Sequence, residues 1–518
     1  MKLNNYIISG FVALMGVAGT SCTGDLDLKP NDPNSKLELT TVAEWDGFLG
    51  RLYGNLYRDD VISTSDGGAG TFTRTHFNLQ EVVSDECFIS EKWNDSGYQP
   101  LNFCTWSSDN EWIYAAFARE FFNAKMGAEF ISQMQSSGAA FFDAEEVKAR
   151  CAEAHALRGL AYYFMIDLFG RGPWIDENSV TGATPPTYDR KQLFEAITSE
   201  LETFVPDLRP AAETAYGRVS REAGYMLLAK LYLNAEVYTG TPMWQECADA
   251  CKKVVSTGIQ LAPTYKYLFC ASNDKYVGNG EIIWGIPQQQ GRMETWGGTT
   301  YLTVGCYVQS APTEVLNRLN SFGEPWSGLR LRPELSQALK DDKRRLIFEG
   351  QYQEAIPNLA TYDETSCGYM LTKYSNATED NYDNIGGALE TNNNQSQISN
   401  VDYPLFRLAD VYLMLAECEL HQATGCNGAE MLSRVRKRAG LSEVSSYTAD
   451  ELLRERLCEL YWEGHRRSDL VRFGKFAGSE YVWSWKGGTA EGSGTQSYRN
   501  LYCIPTQFVS TLGQNDGY

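Results

Sequence analysis

Three stretches of the chain set large aromatic rings directly beside amide, carboxylate or guanidinium groups and glycine. The first is SEKWNDSGYQPLNFCTW, with Trp93, Asn94, Asp95, Tyr98 and Trp106. The second is PQQQGRMETWGGTTY, with Gln289, Arg292, Trp296 and Tyr301. The third is SFGEPWSGLR, with Trp326 and Arg330. A ring flanked by Gly, Asn or Asp, rather than set in an apolar helical pattern, is expected on an exposed loop. The chemistry of such a mixture is recognition of sugars. Flat aromatic faces receive the C–H surface of a pyranose ring, and amides, carboxylates and guanidiniums bond its hydroxyls. The alternative for each ring is packing against the scaffold, and at least two are expected to contribute to binding. Two or three stacks at ~0.5–1.5 kcal/mol each, with a few hydrogen bonds at ~1 kcal/mol, leave affinity in the high-micromolar to millimolar range after ordering costs. Trp112, Trp174, Trp244 and Trp462 sit in or beside helical patterns and are assigned to the core.

Catalysis is not expected. A glycosidase needs two carboxyl groups at a defined separation in a cleft. The acidic neighbours Asp85–Glu86 and Asp341–Asp342 are adjacent in sequence, so their side chains point in different directions. There is no G-x-S-x-G, no phosphate-binding glycine loop and no H-E-x-x-H. The four histidines, His76, His155, His421 and His465, fall at no metal-ligand spacing with Cys or acid, so zinc is not expected. A net charge of −21 without any Lys/Arg-rich run argues against nucleic acid as a partner.

The elements that must hold these loops are mostly helical. The chain has 518 residues, 43% of them apolar, enough for a large core. Aromatics make up 13%, rich for a helical protein, which leaves rings over for exposed platforms. Three- and four-residue apolar spacing starts at Thr41 and recurs over 111–135, 145–169, 190–204, 221–238, 243–257, 403–423, 427–438 and 448–466. Residues 58–110 and about 260–400 read as long loops, with strand-like pieces at Glu281–Ile286 and Tyr301–Val308. A small residue followed three later by Tyr marks four helices: Gly159–Tyr162, Ala229–Tyr232, Ala409–Tyr412 and Cys458–Tyr461. A small residue lets a neighbouring helix come close, and this is the first-helix signature of tetratricopeptide-type hairpins. Thr448 and Glu451 form a capping box for a helix whose acids and arginines, Glu455, Arg456, Glu459, Glu463, Arg466 and Arg467, are expected to form ion pairs that lock the helix onto its neighbours.

The N-terminus reads as an export signal: Lys2, an apolar run from Tyr6 to Ala18, then small residues up to Cys22. Cys22 is expected to be acylated, and residues 22–40 to form a polar, Pro-containing tether; the alternative is ordinary cleavage to a soluble periplasmic protein. The other 12 cysteines show no CxxC and are expected to be buried, with one or two bridges among loop cysteines such as Cys87 and Cys104.

At this point the sequence resembles a known family. The box ERLCELYWEGHRRSDLVRFG is similar to the C-terminal signature of SusD-like (RagB-type) proteins. YPLFRLADVYLMLAEC, SRVRKRAGL, AEAHALRGLAYYFMIDLFGRGPWI and the closing YCIPTQFVSTLGQNDGY resemble further parts of that family in the same order. The resemblance implies a mostly α, SusD-like fold with a tetratricopeptide-type helical hairpin scaffold, long loops and minor β structure. It implies lipid anchoring to the outer membrane of Bacteroidetes, facing outward, with a SusC-like TonB-dependent transporter as partner and oligosaccharide as ligand. It implies no catalysis and no obligatory cofactor; no calcium-ligand loop is recognised. The loops around Trp93 and Trp296 match, by position in the chain, those that carry ligand contacts in the family. The expected organisation is a signal peptide (1–21), a tether (22–40), an N-terminal helical region (41–260), a loop-rich ligand-binding insertion (261–402) and a C-terminal helical region (403–518). The alternative function is a peptide-binding or purely protein-interacting helical-repeat lipoprotein.

Overall fold

Helix starts follow caps that are written in the sequence. Asn110 opens the helix Glu111–Ser137 by accepting from the Trp112 and Ile113 N–H groups at 3.0 and 3.3 Å. Asp143 does the same for Ala144–Leu168, accepting from the Glu146 N–H at 2.8 Å. Ser220 opens Arg221–Leu233. Asp189 with Gln192, and Thr448 with Glu451, form reciprocal capping boxes at the starts of Arg190–Phe204 and Ala449–Leu460. Such caps satisfy N–H groups that the first helical turn leaves without a partner. The computed structural model describes residues 39–59, 61–62, 64, 68, 70–90, 97–179, 183–319, 324–357, 367–380 and 398–518. The export signal, Cys22 and most of the tether lie outside them, as do Trp93, Asn94 and Asp95.

The helices pack as successive hairpins. Glu111–Ser137 lies against Ala144–Leu168, which lies against Arg190–Phe204; Arg221–Leu233 packs on Trp244–Val255, and that on Leu408–Leu420. Leu408–Leu420 also packs on Gly428–Arg438 and Ala449–Leu460. The small residue of the repeated motif does what its size permits. A Cβ added to Gly159 would stand 2.8 Å from Leu201 Cδ2, so glycine allows the two helices to touch. Its companion Tyr162 does more than pack. Its hydroxyl donates to the Pro173 carbonyl at 3.0 Å and accepts from the Ile175 N–H at 2.7 Å, tying the helix to the chain that follows it.

The strands form short antiparallel pairs: β1 (Cys87–Ile89) with β5 (Leu329–Leu331), β2 (Arg171–Pro173) with β3 (Thr187–Asp189), β4 (Ile282–Ile286) with β8 (Tyr403–Arg407), and β6 (Ile347–Phe348) with β7 (Met370–Leu371). The β4–β8 pair brings the start and end of the loop-rich stretch side by side, with Ile282 opposite Arg407.

Four local expectations change. Tyr301–Val308 is no strand; a helix spans Thr299–Thr303 and turns follow it, because Thr300 and Thr303 bond within the turn rather than to a neighbouring strand. Tyr403–Arg407 is strand rather than the start of a helix, because β4 supplies a partner. The helix then begins at Leu408. The 448–466 pattern breaks after Leu460: Trp462 has φ +61° and Gly464 φ +80°. Carboxylates from the other half of the chain take over the N–H groups there. Glu86 accepts from Trp462 at 2.7 Å, and Glu81 accepts from Gly464 and His465 at 2.5 and 2.8 Å. Glu81 sits on a buried π-helical turn, Asn78–Val82. Cys87 and Cys104 are both free thiols rather than bridged, and the Cys104 thiol donates to the Val83 carbonyl at 3.3 Å.

The charges of the C-terminal box pair inside the protein. Arg407 reaches Glu281, Glu459 and Glu463 at 2.6, 3.0 and 2.5 Å. Arg344 reaches Asp342, Glu455 and Glu459. Arg466 holds Asp85 with two bonds of 2.7 Å, and Arg467 holds Asp167 at 3.1 Å.

Candidate functional site

The segment after β4 carries the most exposed tryptophan among the described residues. Trp296 is 41% exposed. Its backbone is held from both sides. The Trp296 N–H donates to Asp59 Oδ2 at 3.3 Å, and the Thr295 hydroxyl donates to Asp59 Oδ1. Burial raises the Asp59 carboxyl above its ordinary value, against the pull of the Thr295 hydroxyl and the Trp296 N–H. On the other side, Gly68 (φ +82°) and Gly297 meet backbone to backbone. A Cβ on Gly68 would lie 2.8 Å from the Gly297 nitrogen, and one on Gly297 would lie 2.0 Å from the Gly68 oxygen. Only glycines permit that approach. The ring therefore projects from a fixed backbone, as stacking without a large ordering cost requires.

Trp326 is the second ring. Its centroid is 5.9 Å from that of Trp296, and the planes are inclined at 40°. It is half-buried. Its N–H donates to the Val304 carbonyl at 2.9 Å, and Ser327, at φ +60°, donates to the Tyr307 carbonyl at 2.9 Å. Ser90 also bonds this segment, through the Gly328 and Ser327 carbonyls at 2.8 and 3.1 Å. Gln289 and Arg292 are exposed at a tight turn closed by the Met293 N–H on the Gln289 carbonyl at 2.8 Å. The base of the segment is fixed by Gln290 N–H to Asn400 at 2.9 Å and by Gln288 N–H to Asp402 at 2.8 Å. The structure thus brings Trp296, Trp326, Gln289 and Arg292 to exposed or half-exposed positions on neighbouring segments.

It does not do so for three other rings expected to be exposed. Tyr98 is fully buried, stacked at 4.3 Å on Trp112, and accepts from Arg74 at 2.5 Å. Tyr301 is fully buried; its hydroxyl donates to Asn78 at 2.7 Å and Arg74 lies 4.6 Å from its ring centre. Trp106 is 1% exposed and its indole N–H donates to Tyr518 at 2.7 Å. The long loops pack on one another and on the C-terminus, so a polar neighbour in sequence did not mean solvent. Arg330, placed beside Trp326 by the sequence, is buried on β5. Of the tryptophans assigned to the core, Trp112 and Trp462 are fully buried, whereas Trp174 and Trp244 are half-buried, the latter stacked on His421 at 3.8 Å.

Sequence reasoning missed Asp59, Gly68, Asn400 and Asp402, the residues that hold the ledge. The Gly297–Gly298 pair after Trp296 was the one available signal for a close backbone approach. Among the described residues no cluster of three His, Cys, Asp or Glu forms a metal site, and no helix is long and apolar enough to cross a membrane.

A scaffold of stacked helical hairpins that presents rings on long, backbone-braced loops defines the class: a SusD-like fold. Residues 281–518 match the model of the SusD family. The chain is 29% identical to the starch-binding protein SusD of Bacteroides thetaiotaomicron over 98% of each chain, and 24% identical to a SusD-like protein of Bacteroides ovatus over 83% of this chain and 80% of that one. Among solved structures, surface glycan-binding protein A from Bacteroides thetaiotaomicron superposes with a TM-score of 0.72 at 19% identity, covering 92% of this chain and 99% of the other. The same protein in complex with laminarihexaose gives 0.70, covering 92% and 100%. The chain is thus similar to SusD-family proteins over nearly its whole length and shares their fold.

Proposed function

We propose that this chain is a non-catalytic glycan-binding protein of the bacterial outer surface. It holds oligosaccharides on the Trp296–Trp326 ledge and passes them to a SusC-like TonB-dependent transporter. The observation that carries the reading is the inclined pair of rings on a braced backbone. Two faces set at 40° receive successive sugars of a curved chain better than those of a flat one. An α-linked glucan coils in this way, and the relative that covers 98% of the chain is named for starch. Gln289 and Arg292 supply hydrogen bonds to hydroxyls. Trp93, Asn94 and Asp95, which lie outside the described residues, are further candidates for contacts to the same ligand.

Hydrolysis is not part of the reading, and Glu459, at the centre of the C-terminal box, is unsuited to proton transfer. Burial pushes Glu459 up, but Arg438, Arg407 and Arg344 hold it down at about 2. The chain is tethered to the outer membrane through acylated Cys22, so Cys22→Ser is expected to release it from the membrane fraction.

The test is calorimetry with maltoheptaose. Trp296→Ala should weaken binding about 10-fold, the equivalent of ~1–1.5 kcal/mol for one lost stack. Failure of wild-type protein to bind maltoheptaose or laminarihexaose at millimolar concentration would sink the reading. Release of reducing sugar from maltoheptaose would overturn its non-catalytic part.

A further inference from the structure

Two aromatic side chains stand exposed among the described residues, and the second is not on the ledge. Tyr216 is 52% exposed, more than Trp296, and borders a cavity of about 220 Å³. Its loop is braced. The Glu213 N–H bonds the Pro210 carbonyl at 2.9 Å, the Ala211 N–H bonds Glu222 at 2.8 Å, and the Trp284 indole N–H reaches the Gly217 carbonyl at 3.3 Å. Next door, Arg218 is locked to Glu153 through its Nε at 2.7 Å. Gly217 (φ +75°) packs so closely on Pro287 that a Cβ there would lie 2.5 Å from the proline ring. Pro287 is the first residue of the segment that runs on to Gln289 and Trp296.

The walls of the cavity are small or flat: Ala212, Ala215, Gly278 and the Trp284 side, with the Asn279 amide and Thr214 hydroxyl at hand. Its volume lies below the ~300–1,000 Å³ usual for extended ligands and suits a single ring. An exposed ring beside a small-walled pocket with amide and hydroxyl groups repeats, in miniature, the chemistry of the ledge. Resting on the glycan-binding reading above, we propose that the pocket under Tyr216 is a second carbohydrate subsite, which takes one sugar of a polysaccharide chain also held at Trp296. Each contact is weak, and a long chain gripped at both places is retained far better than a short one.

The test is affinity electrophoresis in gels containing soluble starch, with circular dichroism melts to confirm folding. Tyr216→Ala, and separately Ala212→Leu, which fills the pocket from an exposed position, should each reduce retention on the order of 10-fold. Calorimetric affinity of either variant for maltotriose at the ledge should stay within about 2-fold of wild type, since one site is untouched. The Tyr216→Ala/Trp296→Ala double variant should run unretarded. Retention of Tyr216→Ala and Ala212→Leu equal to wild type, while Trp296→Ala loses it, would overturn the pocket and leave the ledge standing. Loss with the pocket variants but none with Trp296→Ala would support the pocket and remove the ledge. No retention of wild type in starch gels would overturn the pocket as a subsite for such a chain, while the ledge would then stand or fall with the laminarihexaose calorimetry.

Discussion

Asp402 shows how a single buried carboxyl shapes the ledge. It accepts from the Gln288 N–H with one oxygen, and its other oxygen has no hydrogen-bond partner. Its backbone is pinned by Asn273 at 3.0 and 2.9 Å. Burial raises its pKa from 3.8 to about 7, against the Gln288 N–H, which pulls it down. The folded protein therefore favours the neutral acid. The stability linked to this group is fully present below about pH 4 and is lost as pH rises through about 7. Asp402→Asn removes the ionisation while keeping an acceptor for Gln288. The stability of this variant relative to wild type should grow with pH between about 4 and 7, by on the order of 1 kcal/mol per pH unit. Urea unfolding of both proteins at about pH 5 and pH 8 checks this; parallel profiles would refute it. Nothing near Asp402 in sequence announced its role, because Asn273 and Gln288 reach it only through the fold. Trp296, by contrast, was legible from its glycine neighbours, and the same cue misled at Tyr98.

At the level of elements, the ledge depends on two loops that touch through glycines. Gly297→Ala places a methyl group 2.0 Å from the Gly68 oxygen, so one backbone must move. Trp296, one residue away, moves with it. Maltoheptaose affinity should fall about as far as in Trp296→Ala, roughly 10-fold, although the tryptophan is intact, with a stability loss of ~1–3 kcal/mol. Calorimetry and a thermal melt together test this, and unchanged affinity would show that the backbone brace does not set the ring. Helices were the readable elements, since their caps and apolar spacing are local. Asp189–Gln192 and Thr448–Glu451 form the boxes their sequence spells. The break at Trp462 was not readable, because Glu81 and Glu86 arrive from nearly 400 residues away to take its N–H groups.

For the molecule as a whole, buried ion pairs join segments far apart along the chain. Arg466 and Asp85, 381 residues apart, are both nearly inaccessible, and Tyr481 adds a 2.5 Å bond to the same carboxylate. Although burial pushes Asp85 up, Arg466 brings it below its ordinary value. Arg466→Ala strands the carboxylate in the interior and should cost about 3–5 kcal/mol in equilibrium unfolding, whereas Asp85→Asn/Arg466→Met, which removes both charges, should cost less. Equal losses in the two variants would mean that packing, not charge, is what the pair supplies.

The sequence by itself determined the helical scaffold, because capping, apolar periodicity and the small-x-x-Tyr motif are local and each acts within a few residues. It also determined that rings would stand among polar loop residues, and so the kind of ligand to look for. Which rings remain open was decided only in three dimensions. Tyr98, Trp106 and Tyr301 share the loop composition of Trp296, but Arg74, Tyr518 and Asn78 close over them from distant segments. Exposure is a property of what else arrives at a place, and that is fixed by contacts between residues far apart along the chain.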